Sequence, residues 1–197
     1  MPKYHISDNM ALNAKQYIET TGAKLEITSM ATDYIVEFPA FLTDFSQTFD
    51  ATWNTEDVYG RMDPIATYQG TKRTMSLGFD LPAGSINEAK DNLLNCAVLT
   101  KMVYPVYNSH TENHILSKPP LVRVKFANLI EHQGSGLLGW ITGLSWKPNL
   151  EMGMFTESSD EKKEFFPKII GISFSFNILH EQRLDQNSLP EKWPFGE

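Results

Sequence analysis

A chain of 197 residues is long enough for one domain to bury roughly 70% of the surface its unfolded form exposes, so it needs no disulfide or metal to fold. Its one cysteine, Cys96, excludes an internal disulfide framework. The net charge of −7 argues against a sequence-reading nucleic-acid binder, which carries a basic face, and the polar start and short apolar runs give no signal-peptide pattern and no expectation of membrane insertion.

Aromatic residues make up 12% of the chain, which favours strands because flat and branched side chains pack well on a pleated surface. Residues 1–22 lack strand alternation and read as an N-terminal arm or short helix. From Lys24 the period becomes two. Leu25 and Ile27 alternate with polar neighbours, and Ile35 and Val36 precede Phe38 and the break at Pro39. Phe41, Phe45 and Phe49 fall at odd positions, and Leu42 breaks the alternation, which predicts a bend or bulge. The cleanest strand is Arg73 to Leu81: Met75, Leu77, Phe79 and Leu81 share one face, Thr74, Ser76, Gly78 and Asp80 the other.

Pro82 and Gly84 end that strand. Ser85 with Glu88 three residues on is a capping box, and the apolar stripe Ile86, Ala89, Leu93, Leu94, Ala97, Met102 predicts a helix over about 85–103, stopped by Pro105. Later strands are expected at Val122, Val124 and Phe126 with Ile130, at Leu138, Trp140, Leu144 and Trp146, at Leu150, Met152 and Met154, and at Ile170 to Ile178. Gly134 to Gly136 reads as a turn and Thr156 to Glu164 as a charged loop. The polar tail 182–197 contains Pro190 and Pro194. The sum is a domain over 23–181 of class α+β: seven or eight strands in a mostly antiparallel β-sandwich or barrel with one flanking α-helix.

Chemistry-bearing residues are few. His110 and His114 stand four apart, a spacing that suits a metal site on a helix, but they lie in a polar loop and no glutamate follows His110 directly. Cys96 lies beside the apolar stripe of the helix and reads as a core residue. No catalytic residue, cofactor site or metal site is assigned. The distinctive segment is Thr55 to Ile65, where Tyr59, Gly60, Arg61, Asp63, Pro64 and Ile65 stand close together. Gly60 suits a left-handed turn, Asp63 is biased to extended backbone by Pro64, and Arg61 could fork onto a carboxylate. The segment reads either as an ordered loop tied down by its own arginine or as a docking loop between subunits.

The stretch WNTEDVYGRMDPIATYQGTKRTMSLGFDLP, Trp53 to Pro82, resembles a motif of baseplate and tail-tube-initiator proteins of contractile-tailed phages and phage-like particles. PPLVRVKFANLI, GLLGWITGLSWKPNLEMGMF and FPKIIGISFSFNILHE extend the resemblance from about Phe38 to Glu181. It implies a tail-tube-like fold and copies joined side by side in a ring, often hexameric, that meets tail tube protein, baseplate hub and tape measure. DNA would be only passing cargo, and the location would be the virion after synthesis in the host cytoplasm. Tyr59, Gly60, Arg61, Asp63, Pro64, Ile65 and Arg73 carry over as a structural or contact motif, without catalytic residues. Some relatives append a LysM-like module; none follows here, so cell-wall binding is not expected. The N-terminal arm and Glu56 to Arg73 are the expected contacts. The alternatives from the residues alone are a small-molecule-binding β-barrel and a metal-dependent hydrolase built on His110 and His114.

Overall fold

The computed structural model describes residues 24–39, 41–107, 116–127, 129–131, 134–158 and 163–181. The expected arm at 1–22, the tail at 182–197, and both His110 and His114 lie outside the described residues.

Seven strands form one sheet in the order β2-β1-β7-β8-β11-β4-β3, and every pairing in it is antiparallel. The strands are β1 (Leu25–Ser29), β2 (Ile35–Phe38), β3 (Phe41–Glu56), β4 (Ile65–Pro82), β7 (Val122–Phe126), β8 (Leu137–Pro148) and β11 (Ile169–Ile178). Two small hairpins, β5 (Val106–Tyr107) with β6 (Leu116–Lys118) and β9 (Met154–Ser158) with β10 (Lys163–Pro167), stand apart from it. The helix α1 (Ile86–Met102) packs against β2 and the β9–β10 hairpin.

One sheet face supplies the core. Leu25, Ile27, Val36, Phe38, Met75, Leu77, Phe79, Val124, Ile172, Phe174 and Phe176 are all buried on it. Phe38 and Phe79 belong to the first and sixth strands of the sheet, yet their ring centroids lie 5.5 Å apart. Flat strands about 4.8 Å apart would hold them more than 20 Å from each other. The sheet is therefore rolled around its own core, and α1 adds Ala89, Cys96, Leu99 and Met102 to that core.

The helix begins where the capping box placed it. Ser85 Oγ accepts from the Glu88 N–H at 3.3 Å, and Glu88 Oε2 accepts from the Gly84 N–H at 2.9 Å. The buried face differs from the expected stripe. Asn92, Cys96 and Leu99 face inward, while Leu94 and Ala97 are exposed. Asn92 is accommodated because its amide donates to the Pro82 carbonyl at 3.4 Å. Cys96 is buried as expected, and burial pushes its thiol up to about 11.

Three other expectations need correction. On β8 the inward residues are Leu137, Gly139 and Ile141, not Leu138 and Trp140. A register shift opposite Ser173/Ser175 then changes the phase, so Trp146 pairs with Ile172 on the core side. Gly139 lets β8 approach β11 closely, since a Cβ there would sit 2.0 Å from the Asn177 carbonyl oxygen. Leu150 and Met152 lie in a turn, and β9 starts only at Met154. Part of the expected loop at Thr156 to Glu164 belongs to the β9–β10 hairpin. The predicted irregularity near Leu42 is present as a register shift between Leu42 and Asp44, and it turns Phe41 to the outer face opposite Asp80.

Candidate functional site

The largest departure from the sequence reading is the length of β3 and β4. They pair from Phe41↔Asp80 to Glu56↔Ile65, so Trp53 to Glu56 and Ile65 to Lys72 are strand rather than loop. Only residues 57–64 connect them. Beyond the Phe49↔Arg73 pair nearly every residue of both strands is exposed, on both faces. The hairpin leaves the rolled sheet there as a two-stranded ribbon. At about 3.4 Å per residue its Asp50–Glu56 span carries the connecting loop roughly 20 Å from the body.

The ribbon has two unlike faces, because paired residues share a side. One face continues the core side and holds Phe49, Ala51 and Thr71, the Trp53↔Tyr68 pair, and Ala66. The Trp53 and Tyr68 rings meet edge to face at 5.3 Å. A second register shift between Thr52 and Trp53 brings them opposite each other, and the Tyr68 hydroxyl shares a 2.6 Å hydrogen bond with Thr71 Oγ1. The other face holds Thr48 and Thr74, Asp50 and Lys72, Thr52, Asn54 and Thr67. An amphipathic ribbon of two strands is marginal in water unless something covers its apolar side. No described element covers this one.

Most of the motif singled out in the sequence forms the tip. Tyr59 and Met62 are fully exposed, and Val58 and Ile65 are a little under half exposed. Gly60 has φ of 82°, the left-handed turn expected of it, and the Arg61 N–H donates to the Val58 carbonyl at 3.2 Å. The Arg61 guanidinium makes no ion pair among the described residues. The tip is therefore not held by its arginine, and its Tyr59 and Met62 side chains pack on no described residue.

Arg73 stands apart from the other motif residues. It is 3% exposed and sits at the root of the ribbon. Its Nε and Nη2 donate to Gln47 Oε1 at 3.1 and 2.8 Å, and its guanidinium lies 5.5 Å from the centre of the Phe49 ring. Burial lowers its pKa to about 10, which leaves it charged at neutral pH. That charge, together with burial as the larger cause, lowers the pKa of His180. Gln47 Nε2 is buried and has no acceptor among the described residues. Arg73 thus ties β4 to β3 at the root of the ribbon rather than offering a surface.

Sequence reasoning singled out neither Gln47 nor His180, and it read Tyr68 only as part of the contact stretch Glu56 to Arg73 and Trp53 only as the start of the resembling segment. A signal for Trp53 was present: Phe45, Phe49 and Trp53 continue one odd-numbered alternation up to the segment read as a loop.

Among the described residues no three His, Cys, Asp or Glu side chains gather as a metal site would require, and no helix is long and apolar enough to cross a membrane. Comparison of the sequence with protein-family models and with curated proteins gives no match.

Proposed function

We propose that this chain is a structural subunit of a contractile phage tail, placed where tube meets baseplate hub, and that it joins its copies in a ring through the β3–β4 ribbon. One observation carries the reading. The segment behind the resemblance, Tyr59 to Ile65, occupies the exposed tip of a projecting ribbon whose apolar face is uncovered. Side chains such as Tyr59 and Met62 contribute nothing to the described interior, so their role lies in contact with another chain. A rolled antiparallel sheet with one flanking helix agrees with a tail-tube-like domain. The tail tube protein, hub and tape measure are the neighbours, and DNA passes as cargo.

The test uses assembled particles. The chain is expected in purified particles at a fixed ring stoichiometry by mass spectrometry. Tyr59→Ala and Arg61→Ala are expected to leave the thermal midpoint of the isolated protein unchanged and to cut the yield of complete tails about tenfold, since exposed aromatic and arginine side chains dominate docking energies. A chain missing from purified particles, or unaltered tail yield with both variants, would overturn the reading.

A further inference from the structure

We infer that the extra residue Gln69 in β4 is a positioning residue of the ribbon: the β-bulge it makes aims the outer ribbon and its tip at the surface they dock on. This rests on the assembly reading above and adds the element that gives the contact its direction.

The register of β3 and β4 shifts twice, in opposite senses. Near the body Leu42 pairs with Phe79 and Asp44 with Gly78, so Thr43 is an extra residue of β3. Past the root Thr52 pairs with Gly70 and Trp53 with Tyr68, so Gln69 is an extra residue of β4. The two offsets cancel, and the outer ribbon runs in the register of the innermost pairs. Each irregularity stands beside a glycine, as bulges within strands commonly do. A Cβ on Gly78 would lie 3.2 Å from the Asp44 Cβ and 3.3 Å from Thr43 Oγ1, and Gly70 follows Gln69 directly.

The second bulge decides which side chains share a face. Were the ladder to run on unbroken from Thr52↔Gly70, Trp53 would stand opposite Gln69, and Tyr68 opposite Asn54 on the polar face. The extra residue instead sets Tyr68 opposite Trp53, with the two rings edge to face at 5.3 Å. The Tyr68 hydroxyl reaches back past Gln69 to Thr71 Oγ1 at 2.6 Å, so a side-chain hydrogen bond spans the bulge. A bulge also bends its strand and increases the local right-handed twist. Trp53–Glu56, the loop 57–64 and Ile65–Tyr68 all lie beyond it and take their direction from it. An unpaired residue weakens a ladder of two strands, which is marginal already. A departure that costs its own element stability serves what that element does.

Deleting Gln69 tests this, because the register makes the deletion selective. With the extra residue gone, the ladder runs unbroken, and Trp53↔Tyr68, Asn54↔Thr67, Thr55↔Ala66 and Glu56↔Ile65 remain pairs on their present faces. No docking side chain is lost; only the bend and the added twist are. The full chain lacking Gln69 is expected to keep its thermal midpoint within a few degrees and to retain nuclear Overhauser contacts between the Trp53 and Tyr68 rings. Its incorporation into assembled particles, measured by mass spectrometry, should fall about tenfold, because misdirected anchor side chains no longer reach their pockets. Gln69→Ala keeps the bulge and should incorporate as the native chain does. Native incorporation of the deletion variant, or an equal fall with Gln69→Ala, overturns the inference. So does a lowered midpoint or a loss of the ring contacts, either of which would make the bulge part of the ribbon's own stability. Self-association of the isolated deletion variant in light scattering overturns it too, since the bulge would then serve to keep open strand edges apart. Tyr59→Ala and Arg61→Ala separate this claim from the reading it rests on. If both assemble normally, the ribbon contact itself falls; if they fail while the deletion variant assembles, only the role of Gln69 does.

Discussion

Arg73 shows how one residue can be part of a contact motif without being a contact. Its guanidinium is out of water, and a buried charge is tolerated only where hydrogen bonds and ring contacts replace hydration. Gln47 Oε1 takes two of its N–H groups, and the Phe49 ring lies beside it. Truncation would leave Gln47 with both ends of its amide buried and unsatisfied. Arg73→Ala is therefore expected to lower unfolding free energy by about 1–3 kcal/mol in urea titration. Arg73→Met combined with Gln47→Leu removes donor and acceptor together and should recover most of that loss. Equal loss in the single and double variants would show that the pair contributes only packing.

At the scale of elements, the ribbon and the body are separable. The body is held by the inward faces of β1, β2, β4, β7, β8 and β11 with α1, and nothing in that set lies beyond Arg73 along β4. Replacing Ala51 to Thr71 by Asn-Gly keeps the Asp50↔Lys72 pair beside a two-residue turn of a favoured hairpin type. This shortened chain is expected to keep the thermal midpoint within a few degrees and to lose all incorporation into particles. A collapse of the midpoint, measured by circular dichroism, would show that the ribbon belongs to the fold. The sequence made the body readable for the same reason that it left the ribbon obscure. Met75 to Leu81 and Ile170 to Ile178 alternate because one of their faces is wet. Ala51 to Glu56 and Ile65 to Lys72 are wet on both faces, so polar residues such as Thr52, Asn54, Thr67 and Gln69 obscure the period and the segment resembles loop. The capping box located α1 because it is a local signal. The inward turn of Asn92 was not legible, because the Pro82 carbonyl that its amide meets stands ten residues away and no periodicity reports it.

Across the whole molecule, stability is graded along β3 and β4. These strands enter the rolled core at Leu81 and Leu42, pass the Arg73 root, and end in a ribbon paired only with itself. Amides in the core open only with global unfolding, while those of an uncovered two-stranded ribbon open locally. Hydrogen–deuterium exchange of the isolated chain is therefore expected to protect 75–81 and 170–178 strongly, with protection falling past Arg73 and nearly absent at 52–56 and 65–69. In assembled particles the ribbon amides should slow by about a hundredfold or more, because covering the Trp53–Tyr68 face couples local opening to undocking. The core amides should change little between the two states. Strong ribbon protection in the chain diluted until it is monomeric would mean that another part of the same molecule already covers it, and the ribbon would then have no free face to give to a neighbour.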